Sequence, residues 1–154
     1  MSEKYLIFGA TGSVGSSLAE QLKNSGNDIH LVARNESEVK AIAEKLSCSY
    51  TVADVLEHGF IEKVKADIND IKGIAYCVGS IDLKPLRMVT EQDMNKCMKL
   101  NLYSAIAVFF SIGSAILDFV RLGATQLTLI LGANSAASVT VKPSTAALAE
   151  AIIE

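Results

Sequence analysis

Three glycines at intervals of three, Gly9, Gly12 and Gly15, end the apolar run Tyr5-Leu-Ile-Phe and lead into an apolar-periodic segment that carries Leu18 and Leu22. In a loop that cradles phosphate, Gly9 permits a tight turn, Gly12 lets a pyrophosphate approach the backbone, and Gly15 lets a helix pack close to the strand. Thr11, Ser13 and Val14 fill the loop between them. The free N–H groups and positive dipole end of the following helix would face the phosphates. A plain glycine-rich turn uses the same residues, so the reading draws its weight from what stands at the other strand ends.

Val32-Ala33-Arg34-Asn35 closes the second apolar run. An acid here would accept hydrogen bonds from an adenosine ribose, whereas Arg34 pairs a 2′-phosphate, which favours NADP(H) over NAD(H). The bland counterpart is a solvated arginine opening a helix. After the third run, the Asp54 carboxylate can accept from an adenine amino group while Val55 packs on the ring; a capping aspartate is the simpler alternative. Cys77-Val78-Gly79 ends the fourth run, where small residues let adenosine lie close to the backbone. Asn101 falls inside a long apolar helical segment and is expected to be buried, holding a kink and a water or capping a polar cluster.

Other chemistries lack their residues. His30 and His58 are the two histidines, no Gly-x-Ser-x-Gly occurs, and the glycine loop lacks the Gly-Lys-Ser/Thr of a Walker loop. No His, Cys or carboxylate cluster has metal spacing, so no metal is expected. A net charge of −3 favours neither nucleic acid nor an anionic membrane. Cys48, Cys77 and Cys97 are odd in number and read as free thiols in a reducing compartment, which with no signal peptide expected at the N-terminus points to the cytoplasm. The uncharged stretch Leu100–Leu117 approaches the length of a membrane span, but its Asn101, Ser104, Ser111, Gly113 and Ser114 and the charged residues close on both sides fit a buried helix better.

The elements that must position these residues alternate. Strands are expected at Tyr5–Phe8, Ile29–Val32, Ser49–Val52, Gly73–Cys77 and Leu127–Leu131, and helices near Val14–Asn24, Glu36–Leu46, Gly59–Ile68 and Glu91–Val120. Asn35 or Ser37 suits a helix cap, and Thr90 with Asp93 forms another. Ser138–Lys142 reads as a further strand, followed by a last helix at Ala146–Ile153. The expectation is a Rossmann-type α/β domain: a doubly wound parallel sheet of five or six strands in three α/β/α layers.

Together these residues resemble the short-chain dehydrogenase/reductase family over about residues 4 to 132. Thr11-Gly12-Ser13-Val14-Gly15 is one residue tighter than the family's Thr-Gly-x-x-x-Gly-x-Gly, as in its atypical and extended members. Asp54-Val55 matches its Asp-Val pair. Tyr76-Cys77-Val78-Gly79 keeps only the glycine of Asn-Asn-Ala-Gly, and Glu91 through Asn101 has the spacing of its helix leading to the structural-catalytic asparagine. The resemblance implies hydride transfer between a nicotinamide cofactor and a small carbonyl or alcohol. The family's catalytic Tyr-x-x-x-Lys does not carry over: Tyr5, Tyr50, Tyr76 and Tyr103 all lack a lysine four residues on. Aligned on Ala146-Ala147-Leu148, Val141 and Thr145 occupy those two places.

Residues 1–154 therefore read as a single dinucleotide-binding domain, family-like over 1–132 and divergent over 133–154. If the chain is active, Asn101 would organise a water near the reacting centre and Ser135 would be the candidate for polarising the carbonyl. The alternative is a catalytically inactive dinucleotide-binding module, or a truncated or engineered Rossmann chain. Phe109, Phe110, Ile112, Ile116 and Phe119 surround the long helix, more than one sheet can cover, so a homodimer or higher homo-oligomer is expected.

Overall fold

The computed structural model describes residues 4–80, 82–121, 127–131 and 137–141, with side chains over 4–80 and 82–112. Four strands, β1 (Lys4–Phe8), β2 (Asp28–Ala33), β3 (Ser49–Val52) and β4 (Ile71–Tyr76), form a parallel sheet in the Rossmann-like order β3-β2-β1-β4. Strand side chains alternate between faces, and both faces are apolar. Leu6, Phe8, Val32, Ile74 and Tyr76 enter one core; Ile7, Ile29, Leu31, Ala33 and Ala75 enter the other. A parallel sheet buried on both sides needs such runs.

Helices cover the two faces. α1 (Ser13–Asn24) and α2 (Glu36–Leu46) place Ala19, Val39 and Ala43 in the second core, whereas α3 (Phe60–Asp67) and α5 (Ser104–Arg121) place Val64, Val108 and Ile112 in the first. Because β2 and β3 lie on one side of β1 and β4 on the other, the chain changes direction at β1. The carboxyl ends of β1 and β4 therefore part to leave a crevice.

Local chemistry sets the ends of these elements. The Asn35 side chain accepts from the Glu38 N–H at the start of α2, and Ser47 ends that helix in the left-handed region at φ 48°. α4 (Glu91–Met98) opens with a capping box, Thr90 accepting from the Asp93 N–H and Asp93 accepting from the Thr90 N–H. Where sequence periodicity suggests one helix over 91–120, a π turn at Lys99–Tyr103 separates α4 from α5.

β5 (Leu127–Leu131) pairs parallel with β4, and β6 (Ala137–Val141) pairs antiparallel with β5. The sixth strand thus departs from a wholly parallel sheet. The connection 132–136 is too short for a parallel crossover, which needs a dozen or more residues. Ser135 and the expected helix at Ala146–Ile153 lie outside the described residues.

Candidate functional site

The turn after β1 and the helix that follows it pack so tightly that only glycine fits at one position in each. Gly9 has φ +73°, and a Cβ there would stand 2.9 Å from the Cys77 carbonyl carbon and oxygen. Backbone bonds from the Gly9 N–H to Val32 O (2.9 Å) and from the Cys77 N–H to Phe8 O (2.9 Å) tie the ends of β2, β1 and β4 into one floor. Gly15 is buried beneath the turn, where a Cβ would come within 2.3 Å of the Gly9 carbonyl oxygen. Gly12 is the exposed N-cap of α1 and carries no side-chain cap, which leaves the N-terminal end of that helix open.

Above this floor lies a cleft of about 400 Å³. It brings together Gly9, Thr11 and Gly12 from the turn, Arg34 from the end of β2, Asp54 and Val55 from the end of β3, and Cys77, Val78 and Gly79 from the end of β4. Sequence-expected residues from four separate segments thus line one cavity. Ser13 and Val14 sit in the exposed first turn of α1 and do not line it, and Gly15 acts from below. Asn35 is also absent from the wall. Its side chain is used at the α2 cap, where it receives the Ser37 hydroxyl (2.8 Å) and donates to Glu38 (2.7 Å).

The cleft is charged at its rim and apolar at its base. Arg34 is exposed, Asp54 is half-buried, and Val55 and Cys77 are buried. One Asp54 carboxylate oxygen accepts from the Leu56 N–H at 2.9 Å, so the residue shapes its own turn as well as lining the wall. Burial pushes the Cys77 thiol above its ordinary value, which keeps that surface neutral.

Asn101 is exposed, contrary to the expectation of a buried amide. Its apolar neighbours suggest burial, but the π turn carries it to the surface beside the loop that follows β4. There Oδ1 accepts from the Ser80 N–H (3.0 Å), while Nδ2 donates to Ser80 O and Cys97 O (3.0 Å each) and approaches Cys97 Sγ at 3.3 Å. Of the apolar residues expected around the long helix, Ile112 is 2% exposed and belongs to the core, whereas Phe110 is 67% exposed. The side chains of Ile116 and Phe119 lie outside the described set.

Ser80, Asp82, Lys96, Cys97 and Leu100 complete the wall on the α4 side. No motif spacing marks them in the sequence; only the fold of α4 against the β4 loop brings them to the cleft. Among the described residues no group of three or more His, Cys, Asp or Glu is arranged to hold a metal ion, and no helix is long and apolar enough to cross a membrane.

The sequence matches the family model described as short chain dehydrogenase over residues 3–119. No curated protein matches it. Among solved structures, it is similar to a short-chain dehydrogenase/reductase from Vibrio parahaemolyticus, with 24% identity, a TM-score of 0.64, and 71% of this chain and 50% of that one covered. An alcohol dehydrogenase from the archaeon Thermococcus sibiricus, complexed with 5-hydroxy-NADP, gives 20% identity and a TM-score of 0.69 over 75% of this chain and 54% of that one. A short-chain dehydrogenase from Sphingobium yanoikuyae in complex with NADPH gives 19% and 0.70 over 76% and 49%. At these identities the likeness is one of fold, and the chain spans about half the length of the structures it matches.

Proposed function

From the premise that this chain belongs to the short-chain dehydrogenase/reductase family, we propose that its cleft binds a nicotinamide dinucleotide and favours NADP(H) over NAD(H). Family membership implies an NAD(P)(H) cofactor. The observation that carries the reading is the convergence of the glycine turn, Arg34 and Asp54-Val55 on one cleft. The residues fit the group: Gly12 offers a pyrophosphate bare backbone and an uncapped helix end, and the exposed Arg34 at the end of β2 offers a cation to a 2′-phosphate. Gly12 and the first turn of α1 would hold the phosphates, Arg34 the 2′-phosphate, and Asp54 and Val55 the adenine. The Thermococcus and Sphingobium proteins carry NADP-type ligands, which supports the preference.

When bound, such a cofactor supplies or accepts a hydride. By ancestry the partner substrate is a small carbonyl or alcohol. No tyrosine in this sequence is followed by a lysine at the fourth residue, and loss of a positioned acid–base group removes roughly two to four orders of magnitude in rate. We therefore read the chain as a cofactor-binding module first and as an efficient oxidoreductase only with a proton donor from elsewhere. Ser135 stays a candidate for polarising a carbonyl. Asn101 spends its amide on Ser80 and Cys97, so we assign it to holding the cleft wall.

We take residues 1–154 as one doubly wound, three-layer domain, divergent over 133–154. The free thiols Cys48, Cys77 and Cys97 fit a cytoplasmic protein, and the exposed apolar side of the long helix fits a homodimer. Titration with NADPH and NADH, followed by nicotinamide fluorescence and thermal shift, tests the central reading. Saturable binding tighter for NADPH is expected, with the preference lost in Arg34→Ala by about 10- to 100-fold, the scale of a charge-assisted hydrogen bond. Absence of binding of either nucleotide at millimolar concentration would overturn it.

A further inference from the structure

Tyr76 occupies the place where the family motif has its first asparagine, and it makes contacts that an asparagine is too short to make. It is 2% exposed, packs in the first core with its ring centroid 5.9 Å from that of Phe8, and reaches the helix opposite. Its hydroxyl lies 3.1 Å from the Leu100 carbonyl oxygen and 2.6 Å from Ser104 Oγ. Both partners belong to the π turn or its exit.

The turn explains why hydroxyls are needed there. The Ser104 N–H bonds back five residues to Lys99 O, so the donor that an α-helix would offer the Leu100 carbonyl is diverted. Ser104 Oγ lies 2.9 Å from both Lys99 O and Leu100 O, and the Tyr76 hydroxyl supplies the second proton. Two side-chain hydroxyls thus meet the Leu100 carbonyl that the turn has opened, and Ser104 Oγ also reaches Lys99 O, which already accepts the Ser104 N–H. Asn101 stands in the middle of the same turn and grips both backbone polar groups of Ser80, a residue of the cleft wall.

We propose that Tyr76 is a positioning residue of the cleft: its hydroxyl, with that of Ser104, fixes the π turn so that Asn101 holds the Ser80 backbone in the wall. The link from Tyr76 to Ser80 stands on the geometry alone; its effect on nucleotide affinity rests on the function proposed above.

Amide hydrogen exchange read by NMR, with NADPH titration of the same samples, tests it in the wild type, Tyr76→Phe, Ser104→Ala and Asn101→Ala. Asn101→Ala removes the acceptor and sets the fastest Ser80 exchange. Tyr76→Phe and Ser104→Ala are expected to speed Ser80 exchange about fivefold, leave the Gly9 amide unchanged, and weaken NADPH binding about tenfold, the scale of one hydrogen bond. Should Tyr76→Phe fail to fold, Ser104→Ala reads the same coupling. A fall in Tm with Ser80 exchange unchanged relative to Gly9 would reduce Tyr76 to an ordinary core residue and overturn the proposal. Faster Ser80 exchange at unaltered NADPH affinity would also overturn it, because Ser80 would then have no part in the binding wall. If the wild type binds no NADPH, the proposed function fails, and exchange alone decides whether Tyr76 positions Ser80.

Discussion

A methyl group added at Gly15 meets surroundings unlike those at Gly12. At Gly15 it would stand 2.3 Å from the Gly9 carbonyl oxygen and 2.9 Å from the carbon, both backbone, so the turn or the helix must move. At Gly12 the nearest atom is the same oxygen, at 3.4 Å. Gly15→Ala should therefore lose roughly 1–3 kcal/mol in urea denaturation. Gly12→Ala should lose about 0.5 kcal/mol, the difference between glycine and alanine as an N-cap, yet bind NADPH measurably less well because Gly12 lines the cleft. Equal stability losses in the two variants would contradict this division of labour. Residues with a fixed place in a glycine loop or at a strand end are legible in the sequence, since backbone geometry restricts which types fit there. Asn101 departs from its expected burial for the opposite reason: it lies in a π turn whose Leu100 carbonyl is met by the Tyr76 hydroxyl from β4, a contact that no local pattern announces.

Between elements, the edge of the sheet is joined by a file of polar groups. Thr51 donates to the Asp67 carboxylate at the end of α3, so its oxygen accepts from His30 Nε2–H at 2.8 Å. Nδ1 then accepts the Ser49 hydroxyl at 2.8 Å, and Ser49 accepts from the Lys4 ammonium at 3.2 Å. His30 is buried and neutral, and its pKa is held down to about 4 from 6.5, first by desolvation and then by Lys4, against the opposing pull of Asp67. Between these two values the unfolded chain binds a proton that the folded chain lacks. Stability contributed by the neutral imidazole is thus full above pH 6.5 and falls progressively as the pH drops toward 4. The loss reaches at most about 3 kcal/mol, and His30→Gln should flatten the slope in denaturation curves taken across that window. An unchanged slope would remove His30 as its cause. The elements themselves are legible where local chemistry marks them: α2 falls at the expected residues, opened by the Asn35 cap, and Thr90 with Asp93 marks the start of α4. The π turn and the direction of β6 carry no local mark, one depending on tertiary hydrogen bonds and the other on connection length.

At the scale of the whole molecule, two apolar cores use up the strand and helix faces turned toward the sheet, but the long helix keeps an apolar side in solvent. Leu102, Ile106 and Phe110 recur every four residues, and Phe110 is 67% exposed with Tyr103 beside the same stripe. A second copy of the chain would remove this surface from water. Sedimentation velocity at micromolar concentration should therefore report a dimer, and Ile106→Glu with Phe110→Glu should report a monomer of unchanged thermal stability; a monomeric wild type would exclude the pairing. The α/β class is legible because the alternation of short apolar runs and helical periods is spread over the whole chain and survives errors at any one boundary. β1 lies inside the sheet, flanked by β2 and β4, yet it leaves the ribosome long before the second of them. Residues 9–70, 62 in all, separate β1 from β4, a wait of roughly 3 to 12 s at ordinary rates of synthesis. For that interval an apolar strand edge stands open on the growing chain, ready to pair with whatever strand it meets. The growing chain thus spends that interval with its central strand paired on one side at most, and the crevice between β1 and β4 cannot exist before β4 arrives.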